Sequence, residues 1–244
     1  ICSAYAIWFM MDRMAFPFTA IIGQDQAKQA LIYGAINPKI GGVLLCGQKG
    51  CAKSTLVRAL ANLNGIEVVD LPLNITEDML VGMIDFQDAV RFGRKTFEGG
   101  VLQRAHGNIL YVDEVNLLSD TIVNALLDVM QSGINRMERD GISYVHPSEF
   151  LLVGSMNPEE SPLRIHFLDR FGLYVEMCGI QHPEQRKTVI KQRMAYEANP
   201  AGFSDQYRQQ DQALAERIKK ARQTLQTVQT PEMAINLAIE LSRT

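Results

Sequence analysis

Apolar residues fall along this chain in short solid runs, separated by stretches where they recur every third or fourth position. The runs are Val43-Leu44-Leu45-Cys46, Val68-Val69, Ile109-Leu110-Tyr111-Val112, Phe150-Leu151-Leu152-Val153 and the segment 172–177, and each predicts a buried strand. Between them, helical spacing marks Ala27, Ala30, Leu31 and Ala35, residues 53–63, the short stretch 76–81, and residues 119–132 with Ile122, Leu126, Val129 and Met130 on one face. Asn37-Pro38 stops the first helix, because a residue before proline avoids helical dihedrals. Gly133 stops the last. Strands alternating with helices predict a mostly parallel sheet covered on both faces.

Two segments interrupt the alternation. Residues 82–100 read as an inserted hairpin or loop carrying Arg91, Arg94 and Lys95, suited either to touching a partner or to forming a solvated turn. Residues 134–138 and 142–145 flank Asp140-Gly141, the chemistry of a two-residue hairpin. From Pro183 onward the pattern is helical, with proline followed by an acidic residue at Pro183-Glu184 and Pro231-Glu232 marking helix starts. Tyr207, Leu214, Ile218, Ala221, Leu225 and Val228 form a narrow stripe, expected to pack on neighbouring elements. The organisation is therefore an unassigned extension over 1–15, a strand-helix domain over 16–180, and a helical segment over 181–244.

Composition adds little to this picture. With 244 residues, 47% of them hydrophobic and 21% charged, the chain can bury a sizeable core. A net charge of −3 gives no general attraction to nucleic acid. Cys2, Cys46, Cys51 and Cys178 have no metal-binding or redox spacing, which points to a reducing, cytoplasmic setting. Residues 1–11, ICSAYAIWFMM, are too short to span a bilayer and lack the flanks of a secretory signal, so they read as upstream sequence or a fragment boundary.

The chemistry centres on Gly47-Gln48-Lys49-Gly50-Cys51-Ala52-Lys53-Ser54-Thr55, where a buried strand feeds a glycine-containing turn that opens into a helix. Backbone N–H groups and a helix N-terminus there face an anion, Lys53 reaches its outer phosphates, and the Ser54 hydroxyl ligates Mg²⁺. Ala52 stands where the G-x-x-x-x-G-K-[ST] pattern has its second glycine, and alanine is expected to adopt helical dihedrals there. Ligands of a parallel sheet sit beyond the carboxyl ends of its strands. Those ends offer Asp113 to hold the metal, Glu114 to activate water, and Asn157 to position water or phosphate, with Asp169-Arg170 leading into the last strand. ATP and Mg²⁺ are the cofactors this set implies. The histidines at 106, 146, 166 and 182 are dispersed and suit structural or solvated roles.

The order of IIGQ, phosphate loop, DE-ended strand, hairpin, SMNPEE and LDRFGLYVE resembles AAA+ ATPases. Within them it is similar to the ATPase motor subunit (subunit I) of magnesium chelatase. The specific stretches are INPKIGGVLL, VDLPLNITEDMLVG, FEGGVLQRAHGNILYVDEVNLL and VGSMNPEESPLRIHFLDRFGL, and the resemblance as a whole runs from about Phe16 to Met177. The resemblance implies an α/β fold: a P-loop AAA+ parallel sheet sandwiched by helices, with β-hairpin inserts and a C-terminal helical region forming a truncated lid. It implies that Ile22 and Gly23 pack against adenine and that Arg170 is an arginine finger for a neighbouring subunit. Arg164 is a weaker candidate for a second contact of that kind, a surface role being expected. The family's sensor-2 arginine is expected beyond Thr244, and Arg243 matches no motif.

By the same resemblance the chain is an ATP-hydrolysing motor that assembles as a homo-oligomeric, hexameric ring. It would drive Mg²⁺ insertion into protoporphyrin IX with an integrin-I-domain subunit and a large porphyrin-binding subunit. Three other readings stay open. They are a MoxR-like chaperone, a cobalt- or nickel-chelatase motor, and a helicase-like ATPase supported by Arg91, Arg94, Lys95, Arg136 and Arg139.

Overall fold

A computed structural model describes residues 15–85, 96–139, 142–160 and 163–242. The tip of the first insert, with Arg91, Arg94 and Lys95, lies outside the described residues, as do Asp140-Gly141 and Arg243.

Five strands, β1 (Val43–Gly47), β2 (Val68–Asp70), β5 (Ile109–Val112), β8 (Leu151–Met156) and β9 (Leu173–Met177), make one parallel sheet in the order β2-β5-β8-β1-β9. Its central strands carry almost no polar positions because side chains point alternately to two covered faces. Val43 and Leu45 of β1, Ile109 and Tyr111 of β5, and Leu151 and Val153 of β8 enter one core. Leu44, Cys46, Leu110, Val112 and Leu152 enter the other. Helices α1 (Asp25–Ile36) and α2 (Lys53–Asn64) cover the first face. Helices α3 (Glu77–Val81), α4 (Val101–Ala105) and α5 (Asp120–Ser132), with the short α6 (Ile165–Leu168), cover the second.

The two inserts are both antiparallel pairs. β3 (Gly82–Asp85) pairs with β4 (Thr96–Gly99), and β6 (Ile134–Arg139) with β7 (Ile142–Pro147). They are joined to each other. Phe97 stacks on Tyr144 with ring centroids 3.8 Å apart. Buried Asn135 donates through Nδ2 to the Val81 carbonyl at 2.7 Å and lies 2.9 Å from His146 Nε2. The His146 Nδ1 sits 3.0 Å from the Pro147 carbonyl, so both ring nitrogens are engaged, the structural role its sequence context suggested.

The C-terminal segment divides into α7 (Pro183–Ala198), α8 (Pro200–Thr224) and α9 (Glu232–Leu241). Asn199 makes the break: its side chain accepts from the Gly202 N–H at 3.0 Å while Pro200 occupies the first turn of α8. Helix α8 folds back over the first face. Ile218 is buried in that core with Leu214 against it. Asp211 accepts from both the backbone and the hydroxyl of Thr19, and Arg222 donates to the Ala35 carbonyl at 2.6 Å. Val228, at the end of the expected stripe, is exposed. Among the described residues no helix is long and apolar enough to cross a membrane.

Candidate functional site

The loop from Gly47 to Ala52 takes its shape from the strand beside it. A Cβ on Gly47 would meet the Met177 carbonyl oxygen of β9 at 2.4 Å, so only glycine lets β1 run this close before turning. Gly50 has φ +90° and nothing within 4 Å of where a Cβ would stand, which leaves an open cradle. Ala52 departs from the sequence-based expectation: at φ 65°, ψ 24° it is left-handed, not helical. Its carbonyl accepts from the Leu56 N–H at 3.0 Å and so starts the hydrogen-bond ladder of α2, which holds the residue in that unfavourable region.

Lys53 opens α2 with its ammonium turned into the loop. It donates to the carbonyl oxygens of Gly47, Gln48 (3.2 Å) and Met156 (3.5 Å). Beyond β5, Asp113 is gripped by two hydroxyls: Ser155 Oγ on β8 donates to Oδ1, and Tyr111 Oη donates to the same oxygen at 3.2 Å. Burial is the main reason the Tyr111 phenol is pushed up to about 12, so it stays a donor. Ser155, itself fully buried, also accepts from the Glu114 N–H at 3.4 Å. Glu114, like Ala52, is a non-glycine residue at positive φ (54°), a strained geometry that bends the chain off the strand and redirects its carboxylate. Its Oε1 lies 3.1 Å from the Lys49 ammonium. That hydrogen bond, then the charges of Glu114 and Glu160, raises the Lys49 pKa. Asn157, just past β8, lines the same space, its Oδ1 accepting from the Glu159 N–H at 3.4 Å.

These groups surround one cavity of about 1030 Å³. Ile22, Lys49, Gly50, Cys51, Ala52, Lys53, Ser54, Thr55, Asp113, Glu114 and Asn157 line it, while Gly23, Gly47 and Gln48 do not. Gly23 (φ 67°) and Gln24 (φ 56°) instead form the left-handed corner that brings Ile22 to the cavity, and Gln24 Nε2 ties it to the Cys178 carbonyl at 2.7 Å. The open cradle at Gly50 suits a polyphosphate. Ser54 and Asp113 offer hard oxygen donors of the kind Mg²⁺ takes together with phosphate oxygens and waters.

Several lining residues escaped sequence reasoning: Phe16, Ile21, Ile180, Arg186, Val189 and Ile190. They form an apolar end with a cationic rim, contributed by the N-terminal segment, the loop after β9 and α7. A proline after a residue pair such as Gln181-His182 announces a helix but not which way its face turns.

Arg170 is not in the cavity. It sits before β9 with an exposed side chain, for which the described residues show no ion pair or hydrogen bond. Its backbone, by contrast, is locked: its carbonyl accepts from Gly42 at 2.9 Å, and a Cβ on Gly41 would approach that oxygen to 2.5 Å. Arg164 pairs with Asp120 at 2.7 Å, the surface role expected of it.

Comparison with known proteins agrees with this architecture. Residues 42–171 match the AAA domain (dynein-related subfamily). A magnesium-chelatase subunit ChlI homolog of Methanocaldococcus jannaschii is 41% identical, the match covering 96% of this chain and 76% of that protein. The magnesium-chelatase 38 kDa subunit of Rhodobacter capsulatus is 44% identical over 91% of this chain and 73% of its own. Among solved structures, a chain of the complex between subunits BchI and BchD of magnesium chelatase superposes with a TM-score of 0.65 at 43% identity, covering 89% of this chain and 78% of that one. A Walker-type loop, an acidic strand end and kinship over nearly the whole length place this chain among the AAA ATPases, in the family of the magnesium-chelatase ChlI subunits.

Proposed function

We propose that this chain is the ATP-hydrolysing motor subunit of a magnesium chelatase, driving Mg²⁺ insertion into protoporphyrin IX through a partner chelating subunit. The observation that carries this reading is the extent of the kinship. The AAA module accounts for residues 42–171, yet similarity to magnesium-chelatase subunits covers 91–96% of the chain, taking in the C-terminal helices as well.

In this reading the backbone N–H groups of the loop 47–55 hold the phosphates of ATP, and Lys53 neutralises their outer charge. Ser54 and Asp113 would hold Mg²⁺, which when bound supplies charge neutralisation on the phosphate oxygens. The hydroxyls of Ser155 and Tyr111 keep the Asp113 carboxylate aimed. Glu114 takes a proton from the attacking water, and Asn157 orients that water through its free amide N–H groups. Ile22, with Phe16, Ile21 and Ile180, encloses the base. Arg170 completes the site of the next subunit in a homo-oligomeric, hexameric ring. The partners are a subunit with an integrin-I domain and a large subunit that binds the porphyrin.

The test combines the purified chain with those two subunits, MgATP and protoporphyrin IX, and follows the fluorescence of the magnesium porphyrin. ATP-dependent insertion is expected. Insertion that proceeds only with Co²⁺ or Ni²⁺, or none at all, overturns the assignment.

A further inference from the structure

Two consecutive side chains of the phosphate loop reach across the cavity mouth to the turn that follows β8. Gln48 Nε2 donates to Glu159 Oε1 at 2.8 Å, and the Lys49 ammonium lies 3.6 Å from Glu160 Oε1. The same ammonium is 3.1 Å from Glu114 Oε1. One cation therefore stands between two carboxylates, and one of these is the proposed water-activating group. Both carboxylates are about three-quarters shielded, with 27% and 28% side-chain exposure, whereas Lys49 is 74% exposed and free to shift between them.

The backbone of Glu114 is fixed by its left-handed turn and by Ser155, so the remaining freedom lies in its side chain. A carboxylate oxygen that accepts a hydrogen bond from an ammonium has that lone pair occupied, and a proton acceptor needs it vacant. We propose that Lys49 and Glu160 are positioning residues for Glu114, with Glu160 drawing the Lys49 ammonium away so that Glu114 can face water. This rests on the reading of Glu114 as the general base. It gives the second glutamate of the NPEE turn a role in ATP hydrolysis. Without Glu160, Lys49 has one carboxylate partner left among the described residues and holds Glu114 more of the time.

The consequence is a dependence of one substitution on another. Steady-state ATPase rates are measured for the wild-type chain, Glu160→Gln, Lys49→Met, Lys49→Arg, and Glu160→Gln combined with each. An exposed ion pair is worth a factor of up to about five, so Glu160→Gln is expected to lower kcat about three- to fivefold with KM for MgATP nearly unchanged. Combined with Lys49→Met, the same substitution should change kcat by less than about 1.5-fold, since the competing cation is gone. With Lys49→Arg the loss should return. Wild-type kcat in Glu160→Gln, an equal loss in the Lys49→Met background, or a defect confined to KM overturns the inference. Glu114→Gln serves as the separate control: wild-type turnover in that variant would fault the general-base reading itself. Thermal midpoints identify any variant that fails to fold, and Glu160→Ser replaces Glu160→Gln in that case.

Discussion

Replacing Ala52 by glycine should stabilise this protein, although it removes a methyl group and loosens the unfolded chain. At φ 65°, ψ 24° the Ala52 Cβ crowds its own carbonyl, a cost of about 1–2 kcal/mol for an L-residue. Glycine has no such cost, but its extra freedom when unfolded returns about 0.5–1 kcal/mol. The balance favours Ala52→Gly by roughly 0.5–1 kcal/mol, which for a chain of this size is a rise in Tm of about 1–4 °C. Relaxation cannot absorb the strain first, because the Ala52 carbonyl is committed to the Leu56 N–H at 3.0 Å. Differential scanning calorimetry on the two proteins at one concentration, without nucleotide, reads the shift directly. An unchanged or lower Tm would show that the backbone at 52 is not held left-handed, and the account of the loop would be wrong at its centre.

Three further outcomes test the remaining parts. Gly47→Ala puts a methyl group 2.4 Å from the Met177 carbonyl oxygen, so denaturant titration should show a loss of about 1–3 kcal/mol as β1 and β9 part; an unchanged midpoint would refute it. Ser155→Ala removes a buried donor from Asp113, a hydrogen bond to a charged group worth about 1.5–3 kcal/mol, and should lower Tm and raise the Mg²⁺ concentration needed for half-maximal ATPase. Wild-type Mg²⁺ dependence would show that Ser155 does not orient that carboxylate. Arg170→Ala should keep ATP affinity yet lose about 10³–10⁵ in ring ATPase, and mixing it equally with the inactive Lys53→Ala should restore about a quarter of the wild-type rate, because a heterologous ring pairs an intact loop with an intact arginine at one interface in four. Mixed rings that stay silent would refute action between subunits.

Much of the fold was legible because its strands are buried on both sides. Val43–Cys46 and Ile109–Val112 carry apolar residues at every position, which a half-exposed strand would not tolerate, and helical spacing between them fixed the alternation. The order β2-β5-β8-β1-β9 was not legible, since pairing depends on which strands meet, not on any local pattern. Helix α4 was missed because five residues are too few for a period of 3.6 to declare itself. The break between α7 and α8 left a readable trace in Asn199-Pro200: a residue before proline avoids helical dihedrals, and here that residue is also the cap of the next helix. Left-handed Ala52 and Glu114 could not have been foreseen, because both residues normally avoid that region and only the surrounding bonds hold them there.

The site shows the same division. Lys53, Asp113, Glu114 and Asn157 announced themselves by following apolar runs, and the parallel sheet brings them to one cavity because all its strands end on the same side. The groups that hold them, Ser155 and Tyr111, are buried within the strands and read as core in the sequence. Arg170 is the instructive case. It precedes β9, whose first residue pairs with Val43 at the start of β1, while the phosphate loop follows the end of β1. The five residues of β1 separate those edges by roughly 16 Å at about 3.3 Å each, further than an arginine side chain reaches. A cation mounted on a locked backbone at the wrong edge of its own sheet cannot serve its own nucleotide. That geometry, more than the motif around it, supports the proposed role of Arg170 at the site of a neighbouring subunit.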